Sequence, residues 1–349
     1  MKKYLFLLSV VLWSSALNAQ NLGSLILASS DSNLLTQNYL NPALQGMMSD
    51  MNSGWYSSAK IHKTFGFDIS LSANVSLVPD SGKYFTFNAS DYNYLSTQNG
   101  ETQLETVLGE AGTATTIDVS IPYGSSEYKI SSFDLPGGVA GDLPLNGVPL
   151  PMIQFGLGLP IVKADLKFRF LPKQTYEKNT SVDMFGVGLQ YELTKLIVPA
   201  SAVLPLHISI FGGFTSLNSR HLFASEPGSD VQVSNGEAAF KLTAMTVQAI
   251  GSIDFAFLSL YGSVGYNMSN TKLNVKGDYT LNYNITDNNG MVINTVQEQI
   301  SNPLALEFSQ TGPRSTFGAR LNLLFFKIFA DYTFQKYNTL TAGVAFSFR

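Results

Sequence analysis

Long stretches of the chain alternate strictly between apolar and polar residues. From Phe65 to Leu77 every odd-numbered residue is apolar, and every even-numbered one is Gly, Asp, Ser or Asn. A period of two predicts a β-strand with one apolar and one polar face. Segment 240–252 alternates poorly and is interpreted as a strand from its context. The same alternation recurs in 163–170, 183–193, 206–215, 256–267, 317–323, 328–335 and 339–348.

The apolar faces of these strands suit either the dry core of a secreted sandwich or the lipid side of a membrane barrel. Strand length favours the barrel, because crossing a bilayer takes about 9–11 residues whereas soluble strands average about 5–6. Aromatic residues near strand ends, such as Tyr191, Tyr266 and Phe348, suit interfacial girdles. The sequence therefore predicts an all-β fold, an antiparallel transmembrane β-barrel over residues 53–349.

The connections between the predicted strands alternate in length, as in outer-membrane barrels with short periplasmic turns and long outer loops. Short links lie near residues 160–162, 253–254 and 324–326, and longer polar stretches at 172–181, 217–238 and 271–312. Within the last, residues 272–285 and 291–300 flank Asp287-Asn288-Asn289-Gly290, which predicts a hairpin beyond the membrane. With further strands in region 79–135, for example 83–89, we expect 12 to 14 strands.

The N-terminus has the pattern of a secretory signal peptide over residues 1–19. Lys2 and Lys3 precede an apolar stretch, and small residues lead to a cut after Ala19.

The chain has no Cys, which excludes disulfides, zinc–thiolate sites, thiol nucleophiles and a lipid anchor on an N-terminal Cys. Charged residues make up only 13%, about half the usual share, and the net charge is −4. No nucleic-acid partner is predicted.

The last strand resembles the β-signal by which the barrel assembly machinery recognises its outer-membrane substrates. Gly343, Phe346 and Phe348 match that pattern, with Thr341 at its polar position, whereas Arg349 follows where an aromatic residue normally ends the chain. The resemblance implies the assembly machinery and outer-membrane lipid as partners. The alternative is an ordinary terminal strand with exposed aromatic residues.

Residues 20–52 do not alternate, and they contain Asn41-Pro42-Ala43 shortly before the first strand. This string resembles FadL-type outer-membrane transport proteins, in which an N-terminal hatch occupies the lumen of a fourteen-stranded barrel. Asn-Pro favours a turn, and Pro42 suits the first position of a short helix. The alternative is an ordinary periplasmic turn. Together with Gly54-Trp55-Tyr56, the whole chain resembles an outer-membrane family of the Bacteroidota that shares this feature.

No catalytic arrangement is visible, so we predict neither an enzyme nor a cofactor. His62, His207 and His221 lack metal-ligand spacing, and no nucleophile elbow or phosphate loop occurs. The polar faces of two strands would instead place charges in the lumen, either to set solute selectivity or to form a structural salt-bridge ladder. These candidates are Lys163, Asp165, Lys167, Arg169, Arg314 and Arg320.

The segment 133–151 is rich in Gly, Pro and Leu and carries few charges. It would either form a gate or apolar binding site at the barrel mouth or pack there without a ligand.

FadL-type proteins pass long-chain fatty acids and other hydrophobic molecules, and one relative of that group works in protein secretion. We therefore expect passive, gated transport of small hydrophobic or amphipathic molecules, with a docking barrel for a secretion or assembly complex as the alternative. The pattern is compatible with a monomer or an oligomer.

Overall fold

A computed structural model describes residues 29–109, 112, 114–123, 126–160, 162–176, 179–197, 205–223, 231–286 and 291–348. The predicted signal peptide, residues 20–28 of the predicted hatch and the turn at 287–290 lie outside the described residues.

The described residues form two α-helices and sixteen β-strands, numbered in chain order. The helices are α1 (Ser29–Met51) and α2 (Thr194–Ile197). The strands are β1 (Phe67–Leu77), β2 (Tyr84–Thr86), β3 (Leu95–Thr97), β4 (Gln103–Glu105), β5 (Thr115–Tyr123), β6 (Ser126–Leu135), β7 (Gly147–Gly158), β8 (Ala164–Tyr176), β9 (Thr180–Glu192), β10 (Leu206–Leu222), β11 (Val231–Asp254), β12 (Leu258–Thr286), β13 (Val292–Ser301), β14 (Leu304–Leu323), β15 (Phe326–Phe334) and β16 (Thr339–Phe348).

Ten of these strands close into an antiparallel ring, in the order β1, β7, β8, β9, β10, β11, β12, β14, β15 and β16. The first strand pairs with the last in continuous register from Phe67 opposite Phe348 to Ser76 opposite Thr339. Closure leaves the ring without an edge strand, which is a requirement for β-structure in a bilayer. The predicted antiparallel barrel is therefore confirmed.

The two faces of the strands differ as the alternation predicts. On β1, Ile69 and Leu71 are 51% and 48% exposed, whereas Ser70 and Ser72 are 7% and 6% exposed. The apolar side chains thus point outward and the polar ones into the lumen. This is the arrangement of a barrel whose outer surface contacts acyl chains.

The expectation of 12 to 14 strands is wrong, because two parts of the chain have other roles. Residues 256–267 and 272–285 are one continuous strand, β12, of 29 residues. Residues 79–135 add no strand to the ring: β2 pairs with β4, and β3, β5 and β6 form a second small sheet. Conversely, β7 joins the ring although its outer half lies in the apolar segment that we interpreted as a loop.

The strands also extend further than predicted, so that several long polar connections are strand rather than loop. β8 and β9 are separated only by residues 177–179, and β12 continues past β14 to pair with β13. The predicted hairpin is confirmed by the register from Asp278 opposite Ser301 to Ile285 opposite Asn294. Since crossing a bilayer takes about 9–11 residues, β12 projects well beyond it.

The two ends of the barrel are distinguished by their turns. The end with the short turns 255–257 and 324–325 and with Phe348 is named the inner rim, which is periplasmic in outer-membrane barrels. Phe67 and Phe348 have ring centroids 5.9 Å apart, and Phe325 lies 6.1 Å from Phe348. With Phe346, these residues form an aromatic belt on the lipid side of the inner rim.

Helix α1 lies inside the ring and contacts strands on several sides of it, namely β1, β7, β11, β12 and β14. Near its start, Asn33 accepts the N–H of Ala305 at the outer end of β14, and further along Ser49 contacts Gln310. The helix therefore descends from the outer rim. Its helical part begins well before Pro42, so the expectation that Pro42 starts a short helix is wrong. Neither helix of the described chain is long and apolar enough to cross a membrane.

An apolar core fills the outer half of the lumen. Leu44, Met47 and Met48 of α1 are at most 2% exposed, and they pack in one cluster with side chains of the 78–146 connection and of the surrounding strands. The connection contributes Leu104 and Leu108, both at most 1% exposed. Burial of this apolar surface stabilises α1 in its luminal position.

We predict that charge is tolerated differently along β12 and its hairpin. Val264 is 63% exposed on the lipid side of the ring, whereas Val292 is 51% exposed on β13, beyond it. Val264→Arg should lower the free energy of unfolding in bilayers by about 2–4 kcal/mol. The matched change Val292→Arg should alter it by less than about 0.5 kcal/mol. Equal effects in a denaturant titration in lipid vesicles would contradict the assigned faces.

Candidate functional site: the luminal strap and the gap in the wall

Between α1 and β1 the chain runs through the inner half of the lumen as an extended segment, residues 52–66, here named the luminal strap. Asn52 contacts Ser269 in the middle of β12, and Ser58 contacts Asp254 at the inner end of β11. His62 meets Asp165 at the inner end of β8. The strap therefore descends to the inner rim while the wall supplies its polar partners.

Arg169 binds the upper part of the strap. Its guanidinium donates to the carbonyl oxygens of Met51 and Ser53, at 2.9 and 2.6 Å, and lies 3.7 Å from the centroid of a Trp55 ring. The side chain is completely buried. Hydrogen bonds from a charged donor are stronger than neutral ones, and the planar fork of Arg can serve two acceptors at once.

Three further predicted lumen cations also bind the strap. Arg314 donates to the carbonyl oxygen of Asn52 at 2.6 Å, and Lys167 donates to that of Trp55 at 3.0 Å. Arg320 contacts Ser57 at 3.4 Å and forms an ion pair with Asp254 at 3.1 Å. These side chains come from strands on opposite parts of the ring and meet only because the strap lies between them.

Lys163 and Asp165 complete the set of six predicted lumen residues. Lys163 is exposed in the turn before β8. Asp165 faces the strap, where it accepts the backbone N–H of His62 at 3.0 Å and contacts Nδ1 of that residue at 2.8 Å. The selectivity row and the salt-bridge ladder considered from the sequence both omitted this partner. Arg169, Arg314 and Lys167 hold backbone carbonyls from Met51 to Trp55, and Arg320 contacts the Ser57 hydroxyl, instead of forming a row with Asp165.

The pairing of His62 with Asp165 has no signal in the sequence, because the two residues are 103 positions apart. Among the described residues, no group of three or more His, Cys, Asp or Glu side chains is placed to hold a metal ion. His207 also pairs with a carboxylate, that of Glu192, at 2.7 Å.

An aromatic cluster packs the strap against β10 and β12. Trp55 and Phe211 have ring centroids 5.3 Å apart, and Tyr56 lies 6.2 Å from Tyr261. A Cβ at Gly188 would lie 2.8 Å from the Phe211 ring, so only glycine lets this ring lie against the wall. The glycines on the polar faces of the strands thus make room for the strap.

The candidate hatch residues lie within α1. Asn41 accepts a hydrogen bond from Gln45 one turn later at 3.1 Å, while Pro42 and Ala43 are buried. At the other end of the chain, Phe346 and Phe348 of the candidate assembly signal belong to the aromatic belt. Phe329 packs over Gly343, and a Cβ at that glycine would collide with its ring.

A gap interrupts the wall between β7 and β8. These strands pair from Gly158 opposite Asp165 to Gln154 opposite Arg169, and the register stops there. The outer residues of β7, 147–153, continue to pair with β1, and those of β8, 170–176, with β9. All of these residues are described, and no ladder joins them across the gap.

Prolines explain why the ladder does not resume beyond Ile153. The N–H and C=O of Gly158 bond to Gly66 and Phe65 next to β1, at 2.8 and 3.0 Å. Because successive residues point to opposite sides and the β1–β7 register is unbroken, the odd-numbered residues of β7 face β8. Pro149 and Pro151 therefore have no N–H to offer at the positions facing β8.

The gap is apolar on both sides. Pro149, Pro151 and Ile153 on one edge and Phe170 and Leu171 on the other belong to an apolar groove of about 1000 Å³, which extends from the gap over outward-facing residues of β1, β14, β15 and β16. Behind it, Val148, Leu150 and Met152 point inward and belong to the apolar core around α1. The segment 133–151 thus has two parts: Phe133 to Leu143 packs at the outer rim, and residues 147–151 form one edge of the gap.

The closed ring with its apolar outer face defines a β-barrel of the outer-membrane type. Residues 1–348 match the model of the family of unknown function DUF6588, and the chain belongs to that family. No curated protein matches the chain.

Several solved structures are similar in fold. The attachment invasion locus protein Ail of Yersinia pestis is 12% identical, with 82% of this chain and 100% of Ail covered and a TM-score of 0.27. The transport unit of the autotransporter AIDA-I from Escherichia coli is 7% identical, with coverages of 88% and 99% and a TM-score of 0.31. The toluene transporter TodX of P. putida is 11% identical, with coverages of 86% and 97% and a TM-score of 0.24. These similarities carry no functional conclusion.

We predict that Arg169→Met loosens the strap without opening the ring. The variant leaves the carbonyl groups of Met51 and Ser53 without their charged donor, which should lower the free energy of local opening by about 3 kcal/mol. Hydrogen exchange of the amides at 52–57 should accelerate, while exchange in β12 stays unchanged. Arg220→Met is the control, because Arg220 pairs with Glu237 through a largely exposed side chain. Unaltered exchange in the strap would contradict its attachment by Arg169.

Proposed function

We propose that the protein lies in the bacterial outer membrane and passes small hydrophobic or amphipathic molecules passively between the outer side and the lipid phase. The observation that carries the proposal is the apolar gap between β7 and β8. A molecule that leaves the lumen there meets apolar side chains on both edges and enters acyl chains directly.

The route through the gap avoids the inner half of the lumen. The strap and its buried cations fill that half. An apolar solute would not be stabilised there, because its neighbours would be charged groups. The outer half is lined by apolar side chains and is occupied by α1. Passage therefore requires α1 and the adjoining connection to yield space beside β7, which makes α1 the gate.

The apolar contacts of α1 suit such a movement better than the contacts of the strap do. Burial between α1 and the wall is mostly non-directional, and Met47, Met48 and Met51 are flexible side chains that repack readily. The strap is held by directional hydrogen bonds from Arg169 and Arg314. A shift of α1 with the strap fixed would open the lumen toward the gap and keep the inner rim closed.

A docking barrel for a secretion or assembly complex is the second candidate. The projecting hairpin of β12 and β13 favours it, because most side chains of residues 291–301 are exposed and mainly polar. Such a barrel would have no use for an apolar opening toward lipid, so a test of the gap separates the two functions.

We predict that locking the gap stops passage. Ile153 and Phe170 are the next positions after the last pair, Gln154 and Arg169, and the native chain has no Cys. Oxidising Ile153→Cys with Phe170→Cys should bring the strand edges together and reduce uptake of the apolar dye N-phenyl-1-naphthylamine into expressing cells to background. A reducing agent should restore uptake.

The control is a second cysteine pair at Phe155 and Phe168, which are already opposite each other in the ladder. Oxidation of this pair should leave dye uptake unchanged. If uptake through the barrel persists when the gap is locked, the lateral route is wrong. If no variant or native barrel takes up dye above background in either redox state, transport is contradicted and docking is favoured.

A further inference from the structure

A polar cavity of about 360 Å³ opens at the inner rim between the strap and the ends of the surrounding strands. Five cationic side chains line it: Lys60 and Lys63 from the strap and Lys167, Arg320 and Lys327 from the wall. Three carboxylates line it as well, so the lysine and arginine side chains outnumber the carboxylates by two.

The carboxylates of the cavity are already engaged. Asp254 pairs with Arg320 at 3.1 Å, and Asp165 contacts His62 at 2.8 Å. Asp68 lies 3.8 Å from the same histidine. Among the described residues, none of these carboxylates forms an ion pair with Lys167 or Lys327, and Asp68 and Asp165 act on both lysines only at longer range.

Lys167 and Lys327 instead donate to neutral acceptors. Lys327 bonds the hydroxyl of Ser347 at 2.7 Å, and Lys167 bonds the carbonyl oxygen of Trp55. Each ammonium group has three N–H donors, so each retains donors for a further acceptor. The two groups lie within electrostatic range of each other and of Arg320, and Lys167 is only 6% exposed. Like charges held this close in a partly buried site are stabilised by an anion between them.

We propose that this cavity binds a phosphate-type anion at the periplasmic end of the barrel. A phosphate group at neutral pH carries a charge of about −1.5 to −2, which matches the excess of the lining, and Lys is a common phosphate-binding residue. The cavity is larger than one phosphate and also accommodates the head group of a phospholipid. This site lies at the opposite end from the gap and does not depend on the proposed transport.

Isothermal titration of the purified full-length mature barrel in a non-ionic detergent tests the site, with inorganic phosphate as the probe in one arm and a dihexanoyl phosphatidylglycerol in the other. Both should bind at one saturable site. Tighter binding of the lipid identifies a head group as the natural source, and binding of phosphate alone identifies the free anion.

Lys327→Gln should weaken phosphate binding about tenfold, because one charge-assisted hydrogen bond is lost. Lys60→Gln with Lys63→Gln changes only exposed strap positions and should also weaken binding, which keeps the test valid if Lys327→Gln does not fold. Lys272→Gln, on the hairpin strand far from the cavity, is the control and should leave affinity unchanged. Absence of saturable binding in both arms, or equal affinity in all variants, would overturn the proposal.

Discussion

The structure depends on satisfying polar backbone groups inside a closed wall. Each strand of the ring pairs on both sides, except where β7 and β8 separate beyond Gln154 and Arg169, and within the ring the apolar side chains face outward and the polar ones face the lumen. The strap brings further carbonyl groups to the same place, away from lipid and largely from solvent. Arg169, Arg314 and Lys167 donate to these carbonyls, and without them the buried acceptors would destabilise the strap.

This constraint divides the lumen into two halves with different properties. The inner half is held by directional hydrogen bonds and ion pairs, whereas the outer half is packed by apolar side chains around α1. A gap in the wall beside the inner half would expose charged groups to lipid. The gap lies beside the apolar half, where Pro149 and Pro151 on β7 offer no N–H to β8 and most lining side chains are apolar. The proposed lateral route follows from the apolar outer half, and the proposed anion site follows from the charged inner half.

The period-two pattern predicted the barrel and its outward apolar face, because alternation is a local property of each strand, and the turn residues at 287–290 predicted the hairpin. The strand count could not be predicted in the same way. Nothing in residues 256–285 marks the level at which β12 leaves the bilayer, and the outer half of β7 reads as an apolar loop because Pro149 and Pro151 interrupt the pattern. The lumen cations were found from the polar faces, but their partners were not. The partners of the cations are carbonyl groups on a segment without alternation, the partner of Asp165 is His62 on the same segment, and only the closed ring brings them together.

The central claim is that the apolar faces contact lipid while the strap lies in a lipid-free lumen. The chain has two Trp residues, Trp13 before the predicted cleavage site and Trp55 in the strap. Trp55 is 1% exposed, so the Trp emission of the mature protein comes from the lumen. In vesicles containing brominated lipid, the emission of Trp55 should be barely quenched. The additional emission of Phe317→Trp, at a position 62% exposed on the outer face of β14, should be quenched strongly. Equal quenching of both, or stronger quenching of Trp55, would contradict the account.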